Sequence, residues 1–419
     1  MAPFDLNLRH LRALDAIVQC RRMRVAAEAV SLSQPALTQG LARLERQLGV
    51  LLFERRPDGV VPTSAGLTMA ARAVRAFDLL GQASRRASRG GTRIFSRAEH
   101  LMTATQLRAL TALADHGSFV AAALATDLSE PSLHRAVRDL EQTVGVALVE
   151  RRGRGVQLTD AGRHLARGAR LAAAEIVAGI VDLSHPGRDG DGRPRGRIAI
   201  GAMPLARARI LPAAVAAFQR GGPAAAIDIV EGSWRDLIEP LRDGLIDLTI
   251  GALRDGVPAG FVQRPLFQDR LVVVGRVGHP LVGSAPDAAA LSGYPWMVAS
   301  PGSPLRHQWD LLFAGRDPPA PIACGSVMVI RGILIETDML TLLSPDQVAA
   351  EIAGGVLAIV CEPLPALIRT IGTTVRPGWQ PTAAQARFLR LLDLAASHHA
   401  SGNQIGVPSI GMERIAPPD

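Results

Sequence analysis

Gln34, Thr38, Gln39 and Arg43 lie close together in the chain and carry side chains that make directional hydrogen bonds. A primary amide holds a donor beside an acceptor, the pattern that matches an adenine edge, while a guanidinium matches guanine or a phosphate. Such chemistry acts only from a rigid support. Leu37, Leu41, Leu44 and Leu48 recur three and four apart, which places them on one helix face and leaves the polar groups off it. Ser33 is suited to cap that helix, Pro35 falls in its first turn, where a missing N–H costs nothing, and Gly49 is suited to end it. A helix with a polar outer face is often merely solvated, so the neighbouring elements decide between the two readings.

Upstream, Leu8, Leu11, Leu14, Ile17 and Val18 outline an amphipathic helix, followed by a short one around Ala26-Ala27. Downstream, Phe53 to Val60 reads as a strand and a glycine turn, with Arg55 and Arg56 at a basic tip. Ala26-Ala27-Glu28, Ser33 to Thr38, Leu44-Glu45, Leu48-Gly49, Leu52 to Arg56 and Thr63 to Gly66 together resemble the amino-terminal winged helix-turn-helix of LysR-type transcriptional regulators. The resemblance implies a sequence-specific regulator of double-stranded promoter DNA, controlled by a small-molecule effector and assembled as a homodimer or homotetramer that meets RNA polymerase. Ser33, Gln34, Pro35, Thr38, Gln39, Arg43, Arg55 and Arg56 are then the residues expected at the duplex. One turn departs from the family: Arg21-Arg22-Met23 stands where Gly-Ser-Phe is usual. Losing the glycine and serine caps costs on the order of 1 kcal/mol each, and Met23 is placed to fill the aromatic's slot.

The pattern then returns with a shift of 96 residues and no gap. Leu11 to Leu14 meets Leu107 to Leu110, Leu44-Glu45 meets Leu140-Glu141, Glu54-Arg55-Arg56 meets Glu150-Arg151-Arg152, and Ala65-Gly66 meets Ala161-Gly162. About 25 of 56 aligned pairs are identical, which marks an internal duplication. The second copy keeps Gly117-Ser118-Phe119, so its frame is expected to be the sturdier. Its recognition stretch, Ser129 to Val144, has Glu130 in place of Gln34; a carboxylate accepts from a cytosine amine but is repelled by phosphates. Ser129, Ser132, His134, Arg135 and Arg138, with Arg151, Arg152 and Arg154 on the wing, complete the expected DNA-facing set. Either both heads touch DNA, or one is degenerate and serves packing.

Charge divides the chain. Residues 1–196 hold 28 arginines against 19 acidic residues, and residues 197–419 hold 18 against 19, with no lysine anywhere. A basic front joined to a neutral back fits a nucleic-acid binder with a separate sensing portion. Three dispersed cysteines form no zinc or disulfide pattern and suit a reducing bacterial cytoplasm. No apolar run is long enough to span a membrane.

Leu165, Ala169, Ala172, Ile176, Ile180 and Leu183 form an apolar seam at near-heptad spacing, expected to pair two subunits unless it packs on the chain's own heads. Gly81 to Arg97 reads as a basic flexible linker and His185 to Gly196 as a hinge. From Arg197, strands and helices alternate, which argues a parallel sheet covered by helices. Resemblance to the family's effector domain rests on residues 211–218, 241–251 and His279-Pro280-Leu281, while Glu336 to Gln347 is similar to the galactose-binding-protein-regulator subgroup. Candidate effector contacts are Ala202, Met203 and Pro204 after the first strand, Ser233, and Ser300, Gly302 and Ser303, with Arg306 or Arg331 to supply charge. Each of these loops also reads as an ordinary turn.

Catalysis is poorly supported: no acid is placed to orient His307 beside Ser303, and Glu336 and Asp338, two apart, do not share a helix face. No metal or cofactor fingerprint occurs. The expected fold class is multidomain: two tandem winged helix-turn-helix domains, largely α, then an α/β two-lobed periplasmic-binding-protein-like effector domain. Expected bounds are 5–66 for the first head, 67–97 for a helix and linker, 103–162 for the second head, and 159–184 for the pairing helix. The hinge then takes 185–196, the effector domain 197–396 and a disordered tail 397–419. A DNA-tethered small-molecule enzyme and a constitutive architectural binder are the competing readings.

Overall fold

The computed structural model describes the chain except residues 58, 90–94, 153–154, 184–195, 223–224, 363–366 and 403–419, and the side chains of 399–402. The expected hinge up to Arg195, Arg154 and most of the expected tail therefore lie outside the described residues.

The front of the chain opens with α1 (Leu8–Cys20), α2 (Met23–Ala29) and α3 (Gln34–Leu48), then the antiparallel ribbon β1 (Phe53–Arg56) and β2 (Gly59–Pro62). Leu11, Leu14, Ile17, Leu37 and Leu44 are fully buried at their meeting point, each stabilising the fold by about 1.5–3 kcal/mol. Arg21 ends α1 at φ +53°, a left-handed conformation that glycine takes without strain. Its carbonyl accepts from Val60 N–H at 2.9 Å, so the strained turn also anchors the wing.

A long helix follows, α4 (Ser64–Ala87). The linker expected from Gly81 is thus helical for a further two turns, because Ala83, Ser84 and Ala87 are buried against a partner helix. The same element order repeats: α5 (Ala104–His116), α6 (Phe119–Ala125), α7 (Glu130–Val144), β3 (Val149–Arg152), β4 (Gly155–Leu158) and α8 (Asp160–Leu183). Here Gly117 takes without strain, at φ +72°, the left-handed turn that Arg21 is forced into, and Ser118 Oγ accepts from Ala121 N–H at 3.1 Å, a side-chain cap that Arg22 does not supply.

Helices α4 and α8 pack along their lengths and share one apolar core with the first head and with Leu107, Leu110, Leu140, Val144 and Leu148 of the second. The rest of the second head packs around Phe119 and Leu133 in a core of its own. The expected subunit-pairing seam is therefore covered from within the chain: Leu165, Ala169, Ala172, Ile176 and Leu183 are buried and Ile180 is half-buried against that core. This corrects the expectation of an intersubunit seam. Its partner is α4, whose matching small residues become visible only once the two helices are side by side. A Cβ on Gly168 would stand 2.2 Å from Ala83 Cβ, so close approach requires glycine there.

The back of the chain forms two mixed sheets. One holds β5 (Arg197–Ala202), β6 (Ala226–Glu231), β7 (Leu248–Ala252), β8 (Val262–Arg270) and the late strand β14 (Ile368–Val375), in the order β6-β5-β7-β14-β8. The other holds β9 (Val272–Arg276), β10 (Trp296–Val298), β11 (Ile322–Ala323), β12 (Leu340–Leu343) and β13 (Leu357–Cys361), in the order β11-β10-β12-β9-β13. Among the helices that flank them are α9 (Ile210–Arg220), α10 (Trp234–Asp243), α11 (Ala288–Ser292), α12 (Pro304–Leu312), α13 (Val327–Glu336), α14 (Ala349–Ala353) and α15 (Ala383–Gly402). The expected parallel sheet is in fact two mixed sheets, because β14 and β9 run antiparallel to their neighbours. The chain leaves the first sheet at Arg270 and returns at Ile368, so each lobe takes a strand running against the rest. Residues 397–402, expected to open the tail, are helical instead, since α15 runs to Gly402.

His279 explains part of the His279-Pro280-Leu281 landmark. Its ring is buried, Nδ1 accepts from Leu281 N–H at 3.1 Å, and Nε2 donates to Asp338 O at 3.2 Å. Burial is the main reason its pKa lies below the ordinary histidine value. The unfolded chain therefore binds this proton first, and the stability contribution is present above about pH 6.5 and falls as the pH drops below it. Tryptophan-monitored melting between about pH 7.5 and pH 5.5 is expected to show a fall in melting temperature that is smaller in His279→Gln.

Candidate nucleic-acid interface and effector cleft

Each head presents the amino-terminal tip of its third helix. Ser33 Oγ accepts from Ala36 N–H at 3.3 Å and Ser129 Oγ from Ser132 N–H at 3.4 Å, so both serines close their helices. Gln34, Pro35, Gln39 and Arg43 are exposed and Thr38 is half-buried, leaving these groups beside one another on the outer side of α3. The close passage of α1 across α3 depends on Gly40, where a Cβ would stand 2.5 Å from the His10 ring. Burial first and Arg43 second hold the His10 pKa below its ordinary value. That ring is consequently neutral near neutral pH, and Arg43 supplies the local charge.

On the second head, Ser132, His134, Arg135 and Arg138 are exposed. His134 is less free than its sequence position implied: its ring stacks on Phe119 at 3.7 Å between centroids, and Nε2 lies 3.7 Å from Glu130. The wings carry Arg55 and Arg56, and Arg151 and Arg152, all exposed. Arg56 leans on Glu54 at 3.1 Å and Arg152 donates to Gln157 at 2.8 Å. The wings are fixed to the third helices by one carboxylate each. Glu45 Oε1 accepts from Leu52 and Phe53 N–H at 2.8 and 3.2 Å, and Glu141 Oε1 from Leu148 and Val149 N–H at 2.7 and 3.2 Å.

In the back half, the expected effector residues meet different fates. Ala202 is fully buried, and Met203 turns inward over Gly251 among Trp234, Leu237 and Leu241. Neither offers its side chain to a solvent-borne ligand, while Pro204 remains half-buried. Ser233 Oγ donates to Asp236 at 2.6 Å, and the same carboxylate oxygen accepts Ser233 N–H at 2.8 Å. These bonds hold the Asp236 pKa below its ordinary value. An anion thus already sits at the start of α10, supplied by the chain itself.

Ser303 caps α12 by accepting from Arg306 N–H at 3.1 Å, and Ser303 N–H donates to Ser300 O at 3.2 Å. Arg306 pairs with Asp310 at 2.8 Å and Arg331 with Glu351 at 3.0 Å, so the two cations expected from sequence are engaged elsewhere. The cations that do reach this loop are Arg254 and Arg235. Arg254 Nη1 donates to Gly302 O at 3.1 Å, its guanidinium lies 5.5 Å from the Trp234 ring centroid, and its buried Nε has no partner. Burial and then the neighbouring Arg235 lower its pKa. Gly302, at φ +74°, lies beside Arg235, where a Cβ would meet Nη2 at an ordinary contact distance of 3.4 Å. Sequence reading passed over both arginines, although Arg254 follows a strand end, where ligands gather in such folds.

Half-buried Cys361 has its thiol pushed up to about 11, by burial first and Glu362 second, so it offers no thiolate near neutral pH. Among the described residues no cluster of histidine, cysteine or carboxylate is placed to hold a metal ion, and no helix is long and apolar enough to cross a membrane.

Comparison with known proteins agrees with this architecture. Residues 8–67 and again 104–163 match the bacterial regulatory helix-turn-helix protein, lysR family, and residues 191–396 match the LysR substrate binding domain. The transcriptional regulator GalR of Pseudomonas putida is 32% identical over 377 residues, spanning 89% of this chain and 93% of the relative. Two solved structures share the fold. ArgP of Mycobacterium tuberculosis has a TM-score of 0.55 at 22% identity, covering 70% of this chain and 96% of that one. A full-length OxyR from Pseudomonas aeruginosa has a TM-score of 0.54 at 24% identity, covering 70% and 94%. A helix-turn-helix joined to an α/β substrate-binding portion defines a DNA-binding transcriptional regulator with an effector domain, and not an enzyme. The chain belongs to the LysR-type transcriptional regulators.

Proposed function

We propose that both winged units of this regulator engage promoter DNA in the bacterial cytoplasm, and that the cleft between its two lobes takes an anionic small molecule. The carrying observation is that the amino-terminal tips of α3 and α7 are both exposed, each capped by a serine and flanked by exposed wing arginines. The match to the family's helix-turn-helix at both places supports reading the front of the chain as a tandem duplication. For the effector, Arg235 and Arg254 are two cations facing the Gly302 loop, one with an unpartnered buried N–H, an arrangement that a carboxylate or phosphate would satisfy. The ligand shifts the regulator only if it binds one lobe arrangement better than another. Higher assembly falls to the back half, because the α8 seam is already occupied. RNA polymerase is the downstream partner in this reading.

Two variants test the DNA assignment by mobility shift across a salt series. Gln34→Ala is expected to relax sequence preference at one position of the site. Arg55→Ala is expected to weaken all sequences alike and to reduce the logarithmic salt slope by ~0.9 for one lost phosphate contact. Unchanged preference in Gln34→Ala counts against α3 as a reader.

A further inference from the structure

We infer that one chain of this protein is a built-in pseudo-dimer of DNA-reading heads, so that a single chain takes a pair of unlike half-sites in one orientation. The inference rests on the tandem-head reading above and extends it to symmetry and stoichiometry.

A two-fold axis between identical subunits makes contacts reciprocal: if residue i of one copy meets residue j of the other, then j meets i. The repeat offset of 96 residues lets this be checked within the chain. Arg12, on α1, donates to the carbonyl of His100 at 3.1 Å, in the short turn before the second head. Its counterpart Arg108, on α5, donates to the carbonyl of Phe4 at 2.9 Å, in the short turn before the first. Adding the offset to Arg12 and subtracting it from His100 gives that second pair. The long helices obey the same rule. Gly168 lies against Ala83, and the mates of those positions, Arg72 and Gly179, also lie against each other. Glu175 meets Arg72 at 3.1 Å, and their mates give the approach of Gly168 to Leu79 O. The heads are thus related by a pseudo-two-fold axis through the α4–α8 pair, and the shared apolar core fixes that relation.

Symmetry of the frame does not extend to the reading surface. Both helix caps, the first-turn proline and two central core positions are identical between copies: Ser33 and Ser129, Pro35 and Pro131, Leu37 and Leu133, Leu44 and Leu140. Four outward positions along the two third helices differ: Gln34 against Glu130, Thr38 against His134, Gln39 against Arg135, Arg43 against Asp139. Glutamine favours adenine, arginine favours guanine, and a carboxylate favours the cytosine amine while repelling phosphate. Two-fold heads place half-sites about one helical turn apart, and the sequence of each half follows its own head. The matching DNA is a two-part site whose halves are not inverted copies.

The experiment selects duplexes from a random library about 30 base pairs long with the full-length chain, then measures the mass ratio of chain to duplex in the purified complex. Two unlike halves in a fixed order, with one chain per minimal duplex, are expected. Gln39→Ala should flatten base preference in one half by about tenfold and Arg135→Ala in the other, because each touches one head. A palindromic consensus, flattening of both halves by either variant, or two chains required on each minimal duplex overturns the inference while leaving DNA binding intact. A failure to enrich any duplex removes the tandem-head reading as well, so the two failures are distinguishable.

Discussion

Arg72→Ala is expected to destabilise the α4–α8 pair by about 3–5 kcal/mol, the cost of leaving buried charge unpaired. Arg72 is 6% exposed and binds Glu175 at 3.1 Å and Asp182 at 2.8 Å, both on α8. The same guanidinium donates to Gln380 O at 2.9 Å, in the segment leading into α15. One side chain therefore holds the two long helices together and ties them to the effector half. Its removal strands Asp182 near Ala383 N–H, while Glu175 keeps only Arg75 at 3.0 Å. All four tryptophans (Trp234, Trp296, Trp309 and Trp379) lie in the back half, so probes can be separated. Far-UV circular dichroism should report an early loss of helix on urea titration, with the tryptophan signal moving less. Replacing Arg72, Glu175 and Asp182 together with uncharged residues of similar size should recover much of the loss, because no buried charge is then stranded. Coincident and unmoved transitions in Arg72→Ala would show that the network contributes little.

The next largest effect is expected from Gly66→Ala and Gly162→Ala. A Cβ at Gly66 would stand 2.0 Å from Leu52 O, and one at Gly162 2.0 Å from Leu148 O. Both obstacles are backbone atoms already committed. Leu52 O accepts Thr63 N–H at 2.9 Å, and Leu148 O accepts Thr159 N–H at 3.0 Å. Each glycine N–H in turn donates to that threonine's Oγ1 at 3.0 Å. Relief requires moving the wing away from the long helix, at a cost of about 3 kcal/mol or more. Each substitution should lower the thermal midpoint of the helical signal, and the double variant should lose about the sum, since the two sites lie in different heads. A midpoint within a degree of wild type in either variant would show that the wing moves freely.

These glycines also mark where sequence reading stopped. Thr63 to Gly66 and Glu45 were legible as parts of a motif, because side-chain type and spacing are enough for a resemblance. Their physical work was not legible: Glu45 holds two wing N–H groups, and Gly66 makes room for a carbonyl. The seam on α8 illustrates the same limit. Its apolar spacing was plain, but spacing carries no information about which surface covers it, and the answer lay about a hundred residues upstream on α4. In the effector half, Ser300 to Ser303 were legible as a loop, whereas Arg254 joins them only because two lobes face each other.

Local periodicity, caps and the 96-residue offset by themselves determined the helices of both heads, the wings and the alternating back half. Those features depend on near neighbours, which the order of residues records directly. Tertiary structure alone decided that α4 pairs with α8, that β9 and β14 run against their sheets, and that Arg72 bridges the two halves. Each of these joins groups far apart in the chain, and only the packing of small residues and the pairing of buried charge selects among the many partners a sequence permits.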